Sequence, residues 1–146
     1  MKDKAGREID YLRISITDRC NLRCKYCMPD DIETTDMENL LTYEEIVQVT
    51  EAAAAFGIRH IRLTGGEPLV RPGCVALVEK IKNVSGIETV GMTTNGVLLA
   101  EYAKALKEAG LDSVNVSLDT LDETEFQRLT GRDELNAVLA GINAAK

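Results

Sequence analysis

Three segments of this sequence repeat one frame, and that frame leaves few folds open. They are GIRHIRLT (57–64), GIETVGMT (86–93) and GLDSVNVS (110–117). Each opens on glycine and an apolar residue, carries apolar residues at its fifth and seventh positions, and ends on a hydroxyl. YLRISIT (11–17) fits the end of the same frame, with Leu12, Ile14 and Ser15 in the matching places. Alternation with period 2 marks strands, and between the segments the period lengthens to that of a helix. TYEEIVQVTEAAAAF spaces Ile46, Val47, Val49 and Phe56 this way, GCVALVEKIKNV spaces Val75, Leu77, Val78 and Ile81, and AEYAKALKEAG spaces Tyr102, Ala103 and Leu106. Thr42 with Glu45, and Asp122 with Glu125, have the spacing of capping boxes. Gly57 and Gly110 stand where a glycine closes a helix. The chain reads βαβαβαβα, an α/β protein with parallel strands and right-handed crossovers.

Two architectures share that order: a Rossmann-like open sheet and a (β/α) barrel. No G-x-G-x-x-G follows the first strand, which weighs against a dinucleotide fold. Side chains alternate along a strand. Leu12/Ile14, Ile61/Leu63, Val90/Met92 and Val114/Val116 therefore share one face, toward the helices. Arg13/Ser15, Arg62/Thr64, Gly91/Thr93 and Asn115/Ser117 share the other, which is polar on every strand. A parallel sheet covered on both sides is apolar on both. A sheet curled around a site is polar toward its inside. The expectation is a partial (β/α) barrel made of its first four βα units. Its competitor is a sheet with one solvated face, on which Arg13 and Arg62 are exposed edge residues. Four units do not close an eight-fold barrel. Residues 1–146 are therefore expected to be the N-terminal part of a longer core domain. The fourth strand is then an open edge prone to association, with a homodimer as its simplest form.

The bulk numbers remove other classes. Apolar residues make up 45% and charged residues 28%, the profile of a globular domain with a real core. There is no long apolar run, so no membrane span is expected. The charged start MKDKAGREID lacks the apolar centre of a secretion signal, which points to the cytoplasm. A net charge of −7 repels phosphate backbones, so no nucleic-acid partner is expected. A small anion stays open as a ligand where a few arginines converge.

In βα barrels the site lies at the C-terminal ends of the strands, and every unusual motif falls there. TDRCNLRCKYCMP (17–29) follows the first strand, TGGEP (64–68) the second, TTNG (93–96) the third and SLDT (117–120) the fourth. Cys20, Cys24 and Cys27 form C-x3-C-x2-C. In a reducing compartment such a group binds metal or acts in catalysis. A structural zinc commonly takes two separated pairs of ligands. Here no second pair exists, and the sole histidine, His60, falls inside a strand. A 4Fe–4S cluster accepts three cysteines and leaves one iron open; zinc remains the competing occupant. Cys74, ahead of an apolar helix pattern, reads as a small buried hydrophobe. Gly65 and Gly66 let backbone approach a ligand and leave N–H and C=O groups free for it. Glu67 is placed to accept from an amino group, and Pro68 stops the strand. The plain alternative for this motif is a Gly-Gly turn. Tyr26 reads equally as a packing aromatic or a ligand contact.

C-x3-C-x2-C after one strand with G-G-E-P after the next resembles the radical S-adenosylmethionine (SAM) enzymes. The resemblance implies that Cys20, Cys24 and Cys27 hold a 4Fe–4S cluster whose open iron binds SAM. It implies a partial or complete (β/α) barrel and a radical generated on the cofactor, so no catalytic side chain is assigned. LRISITDRCNLRCKYCMP, IRLTGGEPLVR, TTNG and NVSLDTLDETEFQRLTG together are similar to the GTP 3′,8-cyclase family of molybdenum-cofactor biosynthesis. That likeness runs from about residue 6 onward, and only the stretch between Cys27 and Leu41 is shorter than in several relatives. It implies that Tyr26, Gly66 and Ser117 contact SAM, that Arg13, Arg62 and Thr93 contact GTP, and that a reductant serves the cluster. Guanidinium forks suit phosphate oxygens, and Gly91 gives room beside them. The family also carries a second cluster on three more cysteines and a glycine tail, whereas this chain has only Cys74 to spare. Two other expectations compete: a peptide- or haem-modifying relative, and a metal-binding fragment without turnover.

Overall fold

The computed structural model describes residue 2 and residues 4–28 and 35–146. Pro29 of the cysteine motif and residues 30–34 of the shortened stretch after Cys27 lie outside the described residues. Four strands alternate with helices: β1 (Tyr11–Ser15), α1 (Tyr43–Ala55), β2 (His60–Thr64), α2 (Cys74–Lys82), β3 (Thr89–Thr94), α3 (Leu99–Glu108) and β4 (Ser113–Val116), followed by α4 (Glu123–Thr130) and α5 (Leu135–Ala144). The fourth helical region is thus two helices, parted at Gly131, whose φ is +69°. The first capping box is complete, with Thr42 and Glu45 bonded reciprocally. The second is half made. Asp122 accepts the Glu125 N–H, but the Glu125 carboxylate turns instead to Arg128.

The sheet order is β1-β2-β3-β4, and all three pairings are parallel. The order never reverses. Right-handed crossovers that always step the same way put every connecting helix on one side. A doubly wound sheet needs a reversal and a second helical layer, and these strands have none. Leu12, Ile61 and Val90 lie side by side in register, as do Ile14, Leu63 and Met92. This face packs on Ile46 of α1, Leu77, Val78 and Ile81 of α2, and Leu99 and Leu106 of α3. A smaller core joins Phe126, Leu135 and Val138 to Val116 and Leu118.

Among the described residues the opposite face carries no helix. Tyr11, Arg13, Ser15, Ser113 and Asn115 are exposed on it, and Arg62, Thr64 and Thr93 are half-buried. Across it, Arg13, Arg62 and Gly91 are direct neighbours in register. Among the described residues no helix is long and apolar enough to cross a membrane.

Candidate functional site

The four loops that leave the strands are tied to one another at the C-terminal edge of the sheet. The cysteine loop is held from two sides. Its Arg23 and Lys25 N–H groups donate to the Thr130 and Leu129 carbonyls at the end of α4, at 2.8 and 3.0 Å. Leu22 and Met28 are buried beneath it. Between Cys24 and Met28 the chain makes a tight turn, with the Cys27 and Met28 N–H groups both donating to the Cys24 carbonyl. On its other side, Gly66 N–H donates to Thr17 O at 2.7 Å and Glu67 N–H to Arg19 O at 2.8 Å.

Those two bonds explain the paired glycines. A Cβ on Gly65 would stand 2.3 Å from Thr17 O, and one on Gly66 2.3 Å from Arg19 O. Close approach is needed here, as the sequence suggests, but it is an approach to the backbone leading into Cys20. The Gly66 N–H is therefore spent within the fold and is not free for a ligand. Glu67 is likewise engaged within the fold. It is fully buried, its Oε1 accepting the Leu69 N–H and the Thr94 hydroxyl and its Oε2 the Asn95 N–H. Three of its four lone-pair sites are thereby filled within the fold, and one on Oε2 stays open. Burial pushes its pKa up, against the lowering pull of the Asn95, Leu69 and Thr94 donors.

Glu67 fixes the turn after β3, and that turn reaches the cysteines. Asn95 Nδ2 donates to Asn21 Oδ1 at 2.7 Å and lies 3.6 Å from Cys20 Sγ. The Leu22 N–H also donates to that sulfur, at 3.4 Å. The fourth loop closes the ring. Ser117 N–H donates to Thr94 O, and Asp119 accepts the Tyr26 hydroxyl. That bond, with burial behind it, raises the Tyr26 pKa. Cys24, Tyr26, Asn95, Ser117 and Asp119 line one cleft, floored by Phe126. Cys24 and two of the residues expected at SAM, Tyr26 and Ser117, thus share a cavity. Gly66 adjoins the loop through Arg19, and Arg13, Arg62 and Thr93 stand on the open sheet face. Asn95 and Asp119 belong to this site although the sequence reading singled out neither.

The three thiols are free. The Cys24 thiol is pushed up by burial, with Cys20, Cys27 and Asp119 adding to the shift and the Tyr26 hydrogen bond opposing it. Such a group loses its proton when it ligates metal.

The profile of the Radical SAM superfamily matches residues 14–146. The chain belongs to the radical SAM superfamily. A GTP 3′,8-cyclase of Petrotoga mobilis is 51% identical over 146 residues, covering 99% of this chain and 45% of its own length. One from Thermodesulfovibrio yellowstonii is 52% identical over 148 residues, covering all of this chain and 46% of its own. The chain thus spans about half the length of these curated relatives. Among solved structures, HydG, a maturase of the FeFe-hydrogenase, superposes with a TM-score of 0.72 at 16% identity, covering 92% of this chain and 32% of that one. At that identity the likeness concerns the fold alone, a partial (β/α) barrel.

Radical SAM membership brings a 4Fe–4S cluster and SAM as cofactors. The residues present fit the cluster. Soft thiolate donors suit iron–sulfur centres, and two N–H groups already aim at Cys20 Sγ, as outer donors aim at metal-bound ligands. Among the described residues no three His, Cys, Asp or Glu side chains close on a single-ion position; the fit rests on the sulfur donors themselves. Cys74, the first residue of α2, is buried in the main core, as expected. Burial pushes its thiol up to about 12.

Proposed function

We propose that residues 1–146 are the N-terminal part of the core domain of a GTP 3′,8-cyclase. The reaction converts GTP to (8S)-3′,8-cyclo-7,8-dihydroguanosine 5′-triphosphate, joining the ribose C3′ to guanine C8, in molybdopterin biosynthesis. When bound, the cluster and SAM supply the one-electron chemistry that removes hydrogen from the ribose. In this reading Cys20, Cys24 and Cys27 hold the cluster, Tyr26, Gly66 and Ser117 seat SAM, and Arg13, Arg62 and Thr93 seat GTP. The protein's part is to bind, orient and exclude water. The reading carries a cytoplasmic location, where free thiols stay reduced, and a reductant that recharges the cluster. A homodimer belongs to it as well, supported by the open edge of β4.

One observation carries the substrate assignment. Arg13 and Arg62 face each other in register on an open sheet. Like charges directly opposite are destabilising, and among the described residues neither is paired with a carboxylate. An arginine pair kept at that cost, in a chain of net charge −7, suits a polyphosphate. The test is GTP titration into the iron–sulfide-loaded gene product. Arg62→Ala is expected to weaken GTP binding by roughly 10-fold or more, the loss of a charged hydrogen bond, while the cluster's visible absorbance stays unchanged. Unaltered affinity would shift the reading to a peptide- or haem-modifying relative.

A further inference from the structure

We infer that Tyr11 is a positioning residue for Arg62, holding its guanidinium flat on β3 as a preset fork for the phosphates of the substrate. The inference rests on the reading of the open sheet face as the GTP site and assigns a residue that the reading does not include. Tyr11 sits at the start of β1, opposite His60 and one step along the same face from Arg13. It is 42% exposed and joins neither apolar core. An exposed aromatic in a polar row has no packing reason to be there. Its hydroxyl oxygen accepts the Arg62 Nε–H at 2.9 Å.

Two further contacts complete the arrangement. Arg62 Nη1 reaches the Met92 carbonyl at 3.4 Å. The rest of the guanidinium lies over Gly91, where a Cβ would meet Nη2 at 3.0 Å and Cζ at 3.1 Å. Gly91 is therefore the space into which Arg62 folds. With Nε engaged by Tyr11 and the plane resting on Gly91, terminal N–H groups remain for an incoming anion. A long side chain ordered before its ligand arrives has less freedom to lose on binding. Tyr11 thus acts on affinity through Arg62.

The experiment is a double-mutant cycle on the whole gene product, loaded with iron and sulfide, with GTP affinity measured by calorimetry. Tyr11→Phe keeps the ring and removes the acceptor. It is expected to weaken GTP binding about 3- to 10-fold, the range of one hydrogen bond, raising KM while leaving kcat at saturating GTP unchanged. Gly91→Ala, which displaces the guanidinium, is expected to act in the same direction. In an Arg62→Ala background Tyr11→Phe is expected to change affinity less than about 2-fold, since nothing is left to position. If Tyr11→Phe is silent while Arg62→Ala weakens binding, or if its effect persists in full without Arg62, the positioning role is overturned. If Arg62→Ala itself leaves GTP affinity intact, the GTP reading falls first and the role of Tyr11 falls with it.

Discussion

The Glu67 carboxylate takes three donors from two segments, Leu69 after β2 and Thr94 and Asn95 at the end of β3, with no exposure to water. Removing it strands those donors in the interior, where each unsatisfied group costs about 1–3 kcal/mol. Glu67→Ala is therefore expected to lose at least ~2 kcal/mol of unfolding free energy in a urea titration. The pH dependence has a definite sign. Burial raises the Glu67 pKa, so the folded state favours the protonated acid. The stability this group gives is complete below its ordinary value and is lost as pH rises through the raised one. Glu67→Gln, which cannot ionise, is expected to lack that decline when both proteins are unfolded across the same pH series. At this scale the sequence is legible where spacing alone carries chemistry. Three cysteines at C-x3-C-x2-C announce a sulfur site, and period-2 alternation puts Arg13 and Arg62 on the polar face. It is silent where a role depends on which loops become neighbours. Nothing local to TTNG or SLDT says that Asn95 will reach Cys20 or that Asp119 will take the Tyr26 hydroxyl. For the same reason the sequence does not show that Glu67 ties the segment after β2 to the end of β3.

Helices and strands were legible because patterning, caps and breakers agree. The Thr42–Glu45 box is visible in the sequence and complete in the fold. Thr42→Ala is expected to cost about 1 kcal/mol, the usual value of an N-cap, by thermal or urea unfolding. The break between α4 and α5 was less visible, since both flanks have helical periodicity and only Gly131 interrupts them. The packing of α5 on α3 could not be read at all. Gly141 lies in mid-helix, where alanine normally gains up to ~1 kcal/mol over glycine. Here a Cβ would stand 2.5 Å from Gly96 O and 2.9 Å from Leu99 Cβ. The first of these is backbone and cannot swing aside. Overpacking of this kind costs about 1–3 kcal/mol, which exceeds the propensity gain. Gly141→Ala is expected to destabilise the protein although it improves the isolated helix, and the urea midpoint decides between the two effects.

Across the whole molecule, a strand order that never reverses puts the helices on one side of the sheet and leaves the other to polar side chains. Right-handed crossovers made the first half of that statement readable from the βα alternation, and the polar row made the second. The polar row also favoured a curled sheet over a flat solvated one, and the likeness to partial (β/α) barrels agrees. The same order leaves β4 hydrogen-bonded to β3 alone among the described residues. A strand paired on one side presents backbone donors and acceptors on the other, which recruit a second strand unless something blocks them. Natural edges are commonly guarded by lysine, proline or a bulge. Ser113–Val116 reads SVNV, with none of these residues and with two β-branched valines that favour pairing. The isolated 146-residue polypeptide is therefore expected to associate through this edge, its apparent mass by light scattering rising with concentration over the micromolar range. Asn115 is exposed on the open face, so Asn115→Lys adds an edge charge without disturbing the core and is expected to shift the population toward monomer. A polypeptide that stays monomeric at every concentration, or a lysine variant that associates as strongly as its parent, would show that the β4 edge does not drive assembly.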